Sequence, residues 1–187
     1  EFEKSDIREM AASAQLASAD APDSQEICFI PDGDYASFIE ENSASVPPCG
    51  NYISEDGCVL GRHRGHHRTT LGQGKGLGIA LGRRVYVINK NASDNTVTLG
   101  SEERLYKKRV TADSINIICP GALEKRERFS AKIRYGRREN TGYAERTGED
   151  TLTFEFDEAV RAPSPGQSLV IYAGDCVVAG GIIRRAD

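Results

Sequence analysis

Cys28 is the side chain best suited to sulfur chemistry in this sequence. A thiolate is a strong nucleophile, and a cysteine sulfur can also carry a second sulfur atom as a persulfide. Its neighbours Ile27 and Phe29 are apolar, however, and cysteine is among the residue types most often buried. The acidic residues close to it, which disfavour a thiolate, are Asp23, Glu26 and Asp32. Taken alone, the segment therefore favours a buried structural thiol.

A second set of residues has side chains that could bind zinc: Cys49, Cys58, His63, His66 and His67. Structural zinc sites usually pair their ligands at short, regular spacings, and no such pair occurs here. A small zinc-binding protein is therefore the weaker interpretation. A basic, polar surface loop over residues 63–68 is the stronger one, and we predict no metal site.

Residues 72–78 form a glycine-rich segment that could approach phosphate groups. Glycines let backbone N–H groups come close to an anion, and Lys75 would add positive charge. The segment has neither the GxxxxGK[ST] order of a Walker loop nor the GxGxxG spacing of a dinucleotide fingerprint. A structural turn stays possible, but a contact with an RNA backbone is favoured over a nucleotide pocket.

Residues 125–138 combine cations with aromatic rings. Seven Lys and Arg residues interleave with Phe129 and Tyr135. Cations can hold phosphates while a ring stacks on an exposed base. The apolar alternation over residues 129–135 is equally that of an ordinary strand, with Ile133 and Tyr135 inside. Both interpretations can hold together, with the apolar face inward and the basic face toward RNA.

The net charge of −4 conceals a strong segregation along the 187 residues. Residues 1–61 carry 2 Lys or Arg against 13 Asp or Glu, a net −11, and residues 139–187 carry 4 against 9, a net −5. Residues 62–138 carry 18 against 6, a net +12. This basic middle part predicts a surface that binds a polyanion. Alternatively, its charges are scattered over the surface and pair in part with the acidic ends.

The composition is that of an ordinary globular protein, with 39% hydrophobic and 28% charged residues. No apolar run approaches the roughly 18 residues that a membrane-spanning helix needs. The five cysteines are scattered and odd in number, which argues against a secreted disulfide framework and for a cytoplasmic location. Because the chain begins at Glu1 and Met10 is its only methionine, we expect either an internal piece of a longer protein or a processed chain.

The local patterns predict a mainly β protein that begins with helix. We expect helices over residues 3–18, capped by Ser5, and over residues 34–41. Two hairpins are expected, one joining residues 51–53 to 58–60 and the other joining 85–89 to 96–99. Further short strands are expected at 27–30, 109–112, 115–118, 129–135, 141–146, 151–156, 168–172 and 177–183. Their even spacing in the second half predicts a small antiparallel barrel or sandwich.

Several motifs, in one order along the chain, resemble those of the tRNA-specific 2-thiouridylases, or tRNA-uridine 2-sulfurtransferases. These enzymes replace an oxygen of the wobble uridine with sulfur. The longer matches are DSQEICFI at residues 23–30, TLGQ at 70–73, KGLGI at 75–79, YVI at 86–88, KIRY at 132–135, PGQ at 165–167 and GGII at 180–183. Shorter matches are Ile7-Arg8 with Ala11, and Gly61 with His63 and Gly65.

The resemblance implies only the central and C-terminal domains of such an enzyme. Residues 1–27 would be a helical remnant of an ATP-pyrophosphatase domain, residues 28–105 a small β-rich central domain, and residues 106–187 an antiparallel six-stranded β-barrel. The Ser-Gly-Gly-x-Asp-Ser loop that marks the ATP domain is absent from this sequence. ATP, with Mg²⁺, is therefore expected in the missing domain, and no cofactor is expected on this fragment.

The resemblance also assigns individual residues. Cys28 would be the catalytic cysteine that carries the persulfide sulfur, and a disulfide bond is among the expected features of the family. Contacts with tRNA are implied at Arg134, Tyr135, Gln167, Gln73 and Lys75. Two positions depart from the family pattern: Gly74 stands where an Arg is usual, and Arg68 lies where an aromatic residue is frequent.

The predicted function is therefore that of the C-terminal part of a tRNA 2-thiouridylase, which adenylates the uridine with ATP and delivers sulfur from a cysteine persulfide. This fragment would supply tRNA binding and the persulfide cysteine, and is expected to be inactive alone. Its expected partners are tRNA and a persulfide donor protein, without a membrane. The alternative is a non-catalytic RNA- or protein-binding β-barrel module.

Overall fold

Two helices lie in the first of the two units into which the chain divides, Glu1–Val46 and Pro47–Asp187. The computed structural model describes residues 2–17, 19, 30, 34–136 and 139–187. Helix α2 spans Tyr35–Asn42, close to the predicted range, whereas helix α1 spans Lys4–Ser13 and ends well before the predicted residue 18. The strand predicted at residues 27–30 lies outside the described residues, apart from Ile30, as does the domain boundary predicted after residue 27.

Short polar caps explain where the two helices begin. Glu3, not the predicted Ser5, is the N-cap of α1, and its backbone N–H donates to Oδ2 of Asp6 at 2.9 Å. These reciprocal bonds satisfy backbone N–H groups that the first helical turn leaves without partners. In α2, Oδ1 of Asp34 accepts from the backbone N–H of Ser37 at 3.0 Å. Ser5 therefore lies one residue inside the helix that it was expected to cap.

The second unit begins with a four-stranded sheet. Its strands are β1 (Gly50–Ile53), β2 (Val59–His63), β3 (Tyr86–Asn91) and β4 (Thr96–Gly100), in the order β2-β1-β4-β3. Strands β1 and β4 run parallel, and the other pairs are antiparallel, so both predicted hairpins are confirmed. The core under this sheet is built from Tyr52, Val85, Val87, Val97 and Leu99.

A closed antiparallel barrel of six strands follows, so the predicted fold class is confirmed. Its strands are joined in the order β10-β5-β8-β7-β6-β9. They are β5 (Tyr106–Ile117), β6 (Glu127–Lys132), β7 (Asn140–Gly148), β8 (Thr151–Arg161), β9 (Ser168–Ala173) and β10 (Cys176–Ala186). The two strands predicted within residues 109–118 are one long strand, β5. Alternate side chains fill the barrel, among them Val110, Leu152, Phe154, Leu169 and Ile171.

One end of the barrel adjoins the four-stranded sheet, and we call it the junction end. It comprises the turn at residues 133–136 after β6, the end of β8 at Arg161, and the loop at residues 162–167 before β9. A short 3-10 helix at Glu102–Leu105 leads from β4 directly into β5 at this end. Tyr86, Leu105 and Ala162 are buried together there, so the sheet and the barrel share a small apolar contact.

The described residues contain no helix with the length and apolar character that crossing a membrane requires.

Candidate nucleic-acid interface

Cys28, the predicted catalytic residue, lies outside the described residues. The four cysteines that are described, Cys49, Cys58, Cys119 and Cys176, are all free. The disulfide bond expected from the family resemblance is therefore not formed among these four. The site that can be built from described side chains is the surface where the barrel meets the sheet.

His63, one of the residues considered as zinc ligands, has a structural role. Within the described part of the chain, no three His, Cys, Asp or Glu side chains come together in a group that could hold a metal. The ring of His63 is buried, with 3% of its surface exposed. Its Nδ1 accepts the backbone N–H of Gly65 at 3.1 Å, and its Nε2 lies 3.3 Å from the carbonyl oxygen of Asn95. The ring thereby connects β2 to the loop before β4.

This environment favours the neutral form of His63. Burial lowers the pKa of the imidazole from its usual 6.5, and the nearby charges of His66, His67 and Lys90 lower it further, while the Asn95 carbonyl opposes them. Nδ1 must also stay unprotonated in order to accept the N–H of Gly65. His63 therefore stabilises this loop as a neutral ring.

The glycine-rich segment is attached to the first residues of β3. The N–H of Gly72 donates to the Val87 carbonyl at 2.8 Å, and the N–H of Val87 donates to the Gln73 carbonyl at 2.9 Å. The Gln73 amide is used within the loop, because its Oε1 accepts from Thr70 and its Nε2 donates to the Lys75 carbonyl, both at 2.9 Å. These two bonds fix the orientation of the Gln73 amide and leave one N–H and one oxygen lone pair for the predicted contact with tRNA.

The two residues after Gln73 have different surroundings: the Lys75 side chain is exposed, whereas position 74 has no room for a side chain. Lys75 is exposed and forms no ion pair with any described residue. At Gly74, where the family usually has Arg, an added Cβ atom would lie 2.7 Å from Cε1 of the Tyr86 ring. The ring of Tyr86 therefore occupies the space that a side chain at position 74 would need.

The turn at residues 133–136 departs from the predicted strand. Strand β6 ends at Lys132, and although Ile133 is buried at 4% exposure, Tyr135 is fully exposed at 106%. The prediction that alternation places Tyr135 inside is wrong, because β6 pairs with β9 only from Ser130 to Lys132. Beyond that point the chain leaves the barrel wall, and the Tyr135 ring projects into solvent.

Arg134 precedes Tyr135 in this turn, and Gln167 lies in the loop before β9, at the same junction end. A guanidinium N–H of Arg134 donates to the backbone carbonyl of Arg161. The pairing of Lys132 with Val170 places the turn beside the start of β9, where exposed Gln167 stands one residue before the strand. The structure thus places Gln167 at the same end of the barrel as Arg134 and Tyr135, although more than thirty residues separate it from them in the sequence.

The basic run that precedes the turn is largely neutralised. Arg126 pairs with Glu155 at 3.0 Å, Arg128 with Asp157 at 2.7 Å, and Lys132 with Glu139 at 3.1 Å. For this part of the chain, the interpretation that cations pair with the acidic end is therefore confirmed. The four-stranded sheet and its loops also carry exposed cations that form no ion pair with described residues: Arg62, Arg64, Lys75, Arg83 and Arg84.

Arg161 is the residue that sequence reasoning missed. Its Nε lies 3.3 Å from Oε1 of Glu102, and its terminal nitrogen donates to the Gly72 carbonyl at 3.3 Å. Its guanidinium carbon also lies 5.6 Å from the centre of the Tyr86 ring. Glu102 lies 59 residues and Gly72 lies 89 residues from Arg161 in the sequence, so no local pattern could reveal these contacts. Through Arg161, the turn that carries Tyr135 is connected to the glycine-rich segment.

Three family models match consecutive parts of the chain, and together they define a tRNA-modifying class. The tRNA methyl transferase HUP domain matches residues 1–32, the tRNA methyl transferase PRC-barrel domain residues 36–101, and the aminomethyltransferase beta-barrel domain residues 107–183.

Curated relatives agree with the family models. The tRNA-specific 2-thiouridylase MnmA of Clostridioides difficile (strain 630) is 43% identical over 186 residues, which is 100% of this chain and 52% of the relative. The same-named protein of Acetivibrio thermocellus is 45% identical over 183 residues, 98% of this chain and 51% of its own length. The protein of the same name from Carboxydothermus hydrogenoformans is 37% identical over 185 residues, which is 99% of this chain and 51% of the relative. The chain belongs to the tRNA-specific 2-thiouridylase family, as its motifs predicted, and spans about half the length of these relatives.

The buried His63 should make stability depend on pH. Above pH 6.5 the ring is neutral in both the folded and the unfolded chain, so its full contribution is present. Below pH 6.5 the unfolded chain takes up the proton first, and stability falls as the pH drops toward the lowered folded pKa. Urea denaturation from pH 7.5 to 5 should show a steeper loss for the native chain than for His63→Gln. Equal slopes would show that His63 does not carry this dependence.

Replacing Arg161 should weaken the contact between the barrel and the sheet. Because the Arg161 and Glu102 side chains are 35% and 46% exposed, we expect Arg161→Ala to lower the free energy of unfolding by about 1–2 kcal/mol. Arg185→Ala is the matched control, since Arg185 is 70% exposed and lies 3.8 Å from Asp187. It should change stability by less than about 0.5 kcal/mol. Equal effects in urea denaturation would contradict a special role for Arg161.

Proposed function

We propose that this chain supplies the tRNA-holding surface and the sulfur-carrying cysteine of a tRNA 2-thiouridylase. Membership of the family and the names of the relatives support the activity. The observation that carries the RNA-binding part is the fully exposed Tyr135 ring beside Arg134 at the junction end. The proposal assigns tRNA as the partner of this surface.

An exposed aromatic ring on a fixed turn suits an unpaired base. RNA recognition commonly stacks an unstacked base on an aromatic ring while cations hold the neighbouring phosphates. The bond from Arg134 to the Arg161 carbonyl restrains the turn that carries the Tyr135 ring. The restraint lowers the ordering cost of binding, because less freedom is lost when the base arrives.

Gln167 adds a group that can make directional hydrogen bonds. Its side-chain amide offers both a donor and an acceptor, which suit a base edge or a ribose 2′-hydroxyl. Its backbone is fixed, since its carbonyl accepts the N–H of Ile183 at 2.7 Å and its N–H donates to the Ser164 carbonyl at 3.1 Å. Tyr135 and Gln167 would therefore contact one nucleotide or two adjacent nucleotides.

The role of Cys28 follows from the family motif in which it lies. Its thiolate would accept a sulfur atom from a persulfide donor protein. The terminal sulfur of that persulfide would then bond to C2 of the uridine as the activated oxygen leaves. A second thiol that attacks the Cys28 sulfur would release the thiouridine and leave a disulfide for later reduction. The reaction would take place in the cytoplasm.

Activation of the uridine oxygen is assigned to residues outside this chain. The described residues do not fit ATP with Mg²⁺, since segment 72–78 lacks a Walker loop and no described group of carboxylates and histidines could hold a metal. We propose that the chain alone binds no ATP and turns over no substrate, while it still binds tRNA.

The stacking role of Tyr135 can be tested by binding. Because a base–aromatic stack contributes about 1–3 kcal/mol, Tyr135→Ala should raise the Kd for a tRNA transcript by about 5- to 100-fold. Tyr135→Phe keeps the ring and should bind within about twofold of the native chain. Fluorescence anisotropy at fixed salt measures all three proteins. Equal affinity for the Ala and native chains would remove Tyr135 from the interface.

The role of Cys28 can be tested in cells that carry the longer protein. Cys28→Ser should abolish 2-thiouridine in the tRNA pool, because a hydroxyl cannot carry a transferable sulfur. Cys176→Ser, at an exposed free cysteine, is the control and should leave the modification at its normal level. Mass spectrometry of digested tRNA measures both. Normal thiolation in Cys28→Ser would favour the alternative, a non-catalytic RNA- or protein-binding module.

A further inference from the structure

Residues 74–84 form a stretch whose backbone N–H groups have no partner among the described residues. Segments of this length usually satisfy most of their N–H groups within the protein or with water. The same segment lines a groove of about 420 Å³, whose lining includes Gly76, Gly78, Arg83 and Arg84.

The segment is nevertheless held in place by its apolar side chains. Leu77, Ile79 and Leu81 pack against the core of the four-stranded sheet. The fit is close, since a Cβ atom at Gly61 of β2 would lie 2.9 Å from Cγ2 of Ile79. Leu77 and Ile79 also line the groove, so the residues that anchor the segment form part of the groove wall.

The backbone angles indicate what kind of ligand suits these donors. Gly76, Gly78 and Gly82 have φ values of +71°, +70° and +66°. Three left-handed residues within seven positions keep the segment from forming an extended strand, so a partner strand could not pair along its edge. Turns that combine left- and right-handed residues instead direct successive N–H groups into a concavity that binds anions.

Two arginines supply positive charge at the same groove, and Lys75 lies within the segment that lines it. Arg83, Arg84 and Lys75 are all exposed, and none forms an ion pair with a described residue. This distinguishes them from Arg126 and Arg128 of the barrel wall, whose charges are matched by carboxylates. Unpaired guanidinium groups are suited to phosphate oxygens, which they can bind with two hydrogen bonds at once.

The groove lies next to the junction end of the barrel. The guanidinium carbon of Arg84 is 5.9 Å from the centre of the Tyr86 ring, and that of Arg161 is 5.6 Å from the same centre. Arg161 accepts the hydrogen bond of Arg134 through its carbonyl. An RNA strand that stacks a base on Tyr135 would therefore run close to this groove.

We infer that residues 74–85 form a second RNA contact, a groove that binds the phosphate backbone through its free N–H groups and through Arg83 and Arg84. The inference rests on the proposed function, since it takes tRNA as the ligand of the junction end. It adds a contact that carries no sequence information and contributes affinity by neutralising phosphates.

Removing the two arginine charges tests the inference. The Kd of the 187-residue chain for a tRNA transcript is measured over a range of salt concentrations. Arg83→Gln with Arg84→Gln should raise the Kd about tenfold at low salt and reduce the slope of log K against log salt by about 1–2. Lys125→Gln with Arg126→Gln removes the same charge from adjacent residues at the opposite end of the barrel, and should leave the slope unchanged.

A charge-preserving pair separates binding from folding. Arg83→Lys with Arg84→Lys should keep the native slope, and urea denaturation of each variant checks that it is folded. If the Gln pair binds as the native chain does while Tyr135→Ala binds weakly, the inference is overturned and the proposed function stands. An equal loss in the Lys and Gln pairs would also overturn it. If the native chain shows no salt-dependent tRNA binding, the proposed function fails, and the inference fails with it.

Discussion

The contacts of the Arg161 guanidinium hold the two β parts of the second unit in one arrangement. One side chain reaches the Glu102 carboxylate, the Gly72 carbonyl and the Tyr86 ring, while its own carbonyl accepts a hydrogen bond from Arg134. A planar guanidinium can make several such contacts at once, which a lysine ammonium could not reproduce. The position of the Tyr135 turn relative to the glycine-rich segment therefore depends on Arg161.

Pairing of charges decides which basic residues are left for a ligand. The net +12 of residues 62–138 suggests one continuous basic face. Carboxylates of β8 and Glu139 neutralise the cations on the barrel wall, since Arg126 and Arg128 pair with Glu155 and Asp157. Beside the glycine-rich segment, by contrast, Lys75, Arg83 and Arg84 are exposed and form no ion pair with a described residue. Because exposed ion pairs contribute little to stability, the effect of the wall pairs is mainly on where a polyanion can bind.

Local signals were sufficient for the hairpins and for the barrel. The Asp56-Gly57 turn and the turn at residues 91–95 mark the chain reversals directly, and alternation marks most strands. Alternation failed at Tyr135, because the end of a strand is set by its pairing with β9 and not by its own pattern. Arg161 could not be predicted at all, since its partners are brought close only by the closed barrel. The position of Cys28 rests on its motif, because it lies outside the described residues.

Hydrogen exchange with and without a tRNA transcript tests most directly whether the turn and the groove form one RNA-binding surface. Amides of residues 74–84 have no partner among the described residues, so in the free chain they should exchange rapidly. Binding of tRNA should slow their exchange together with that of residues 133–136, while residues 118–126 at the opposite end of the barrel stay unchanged. Slower exchange at neither segment, or only at residues 118–126, would contradict a shared RNA surface at the junction of sheet and barrel.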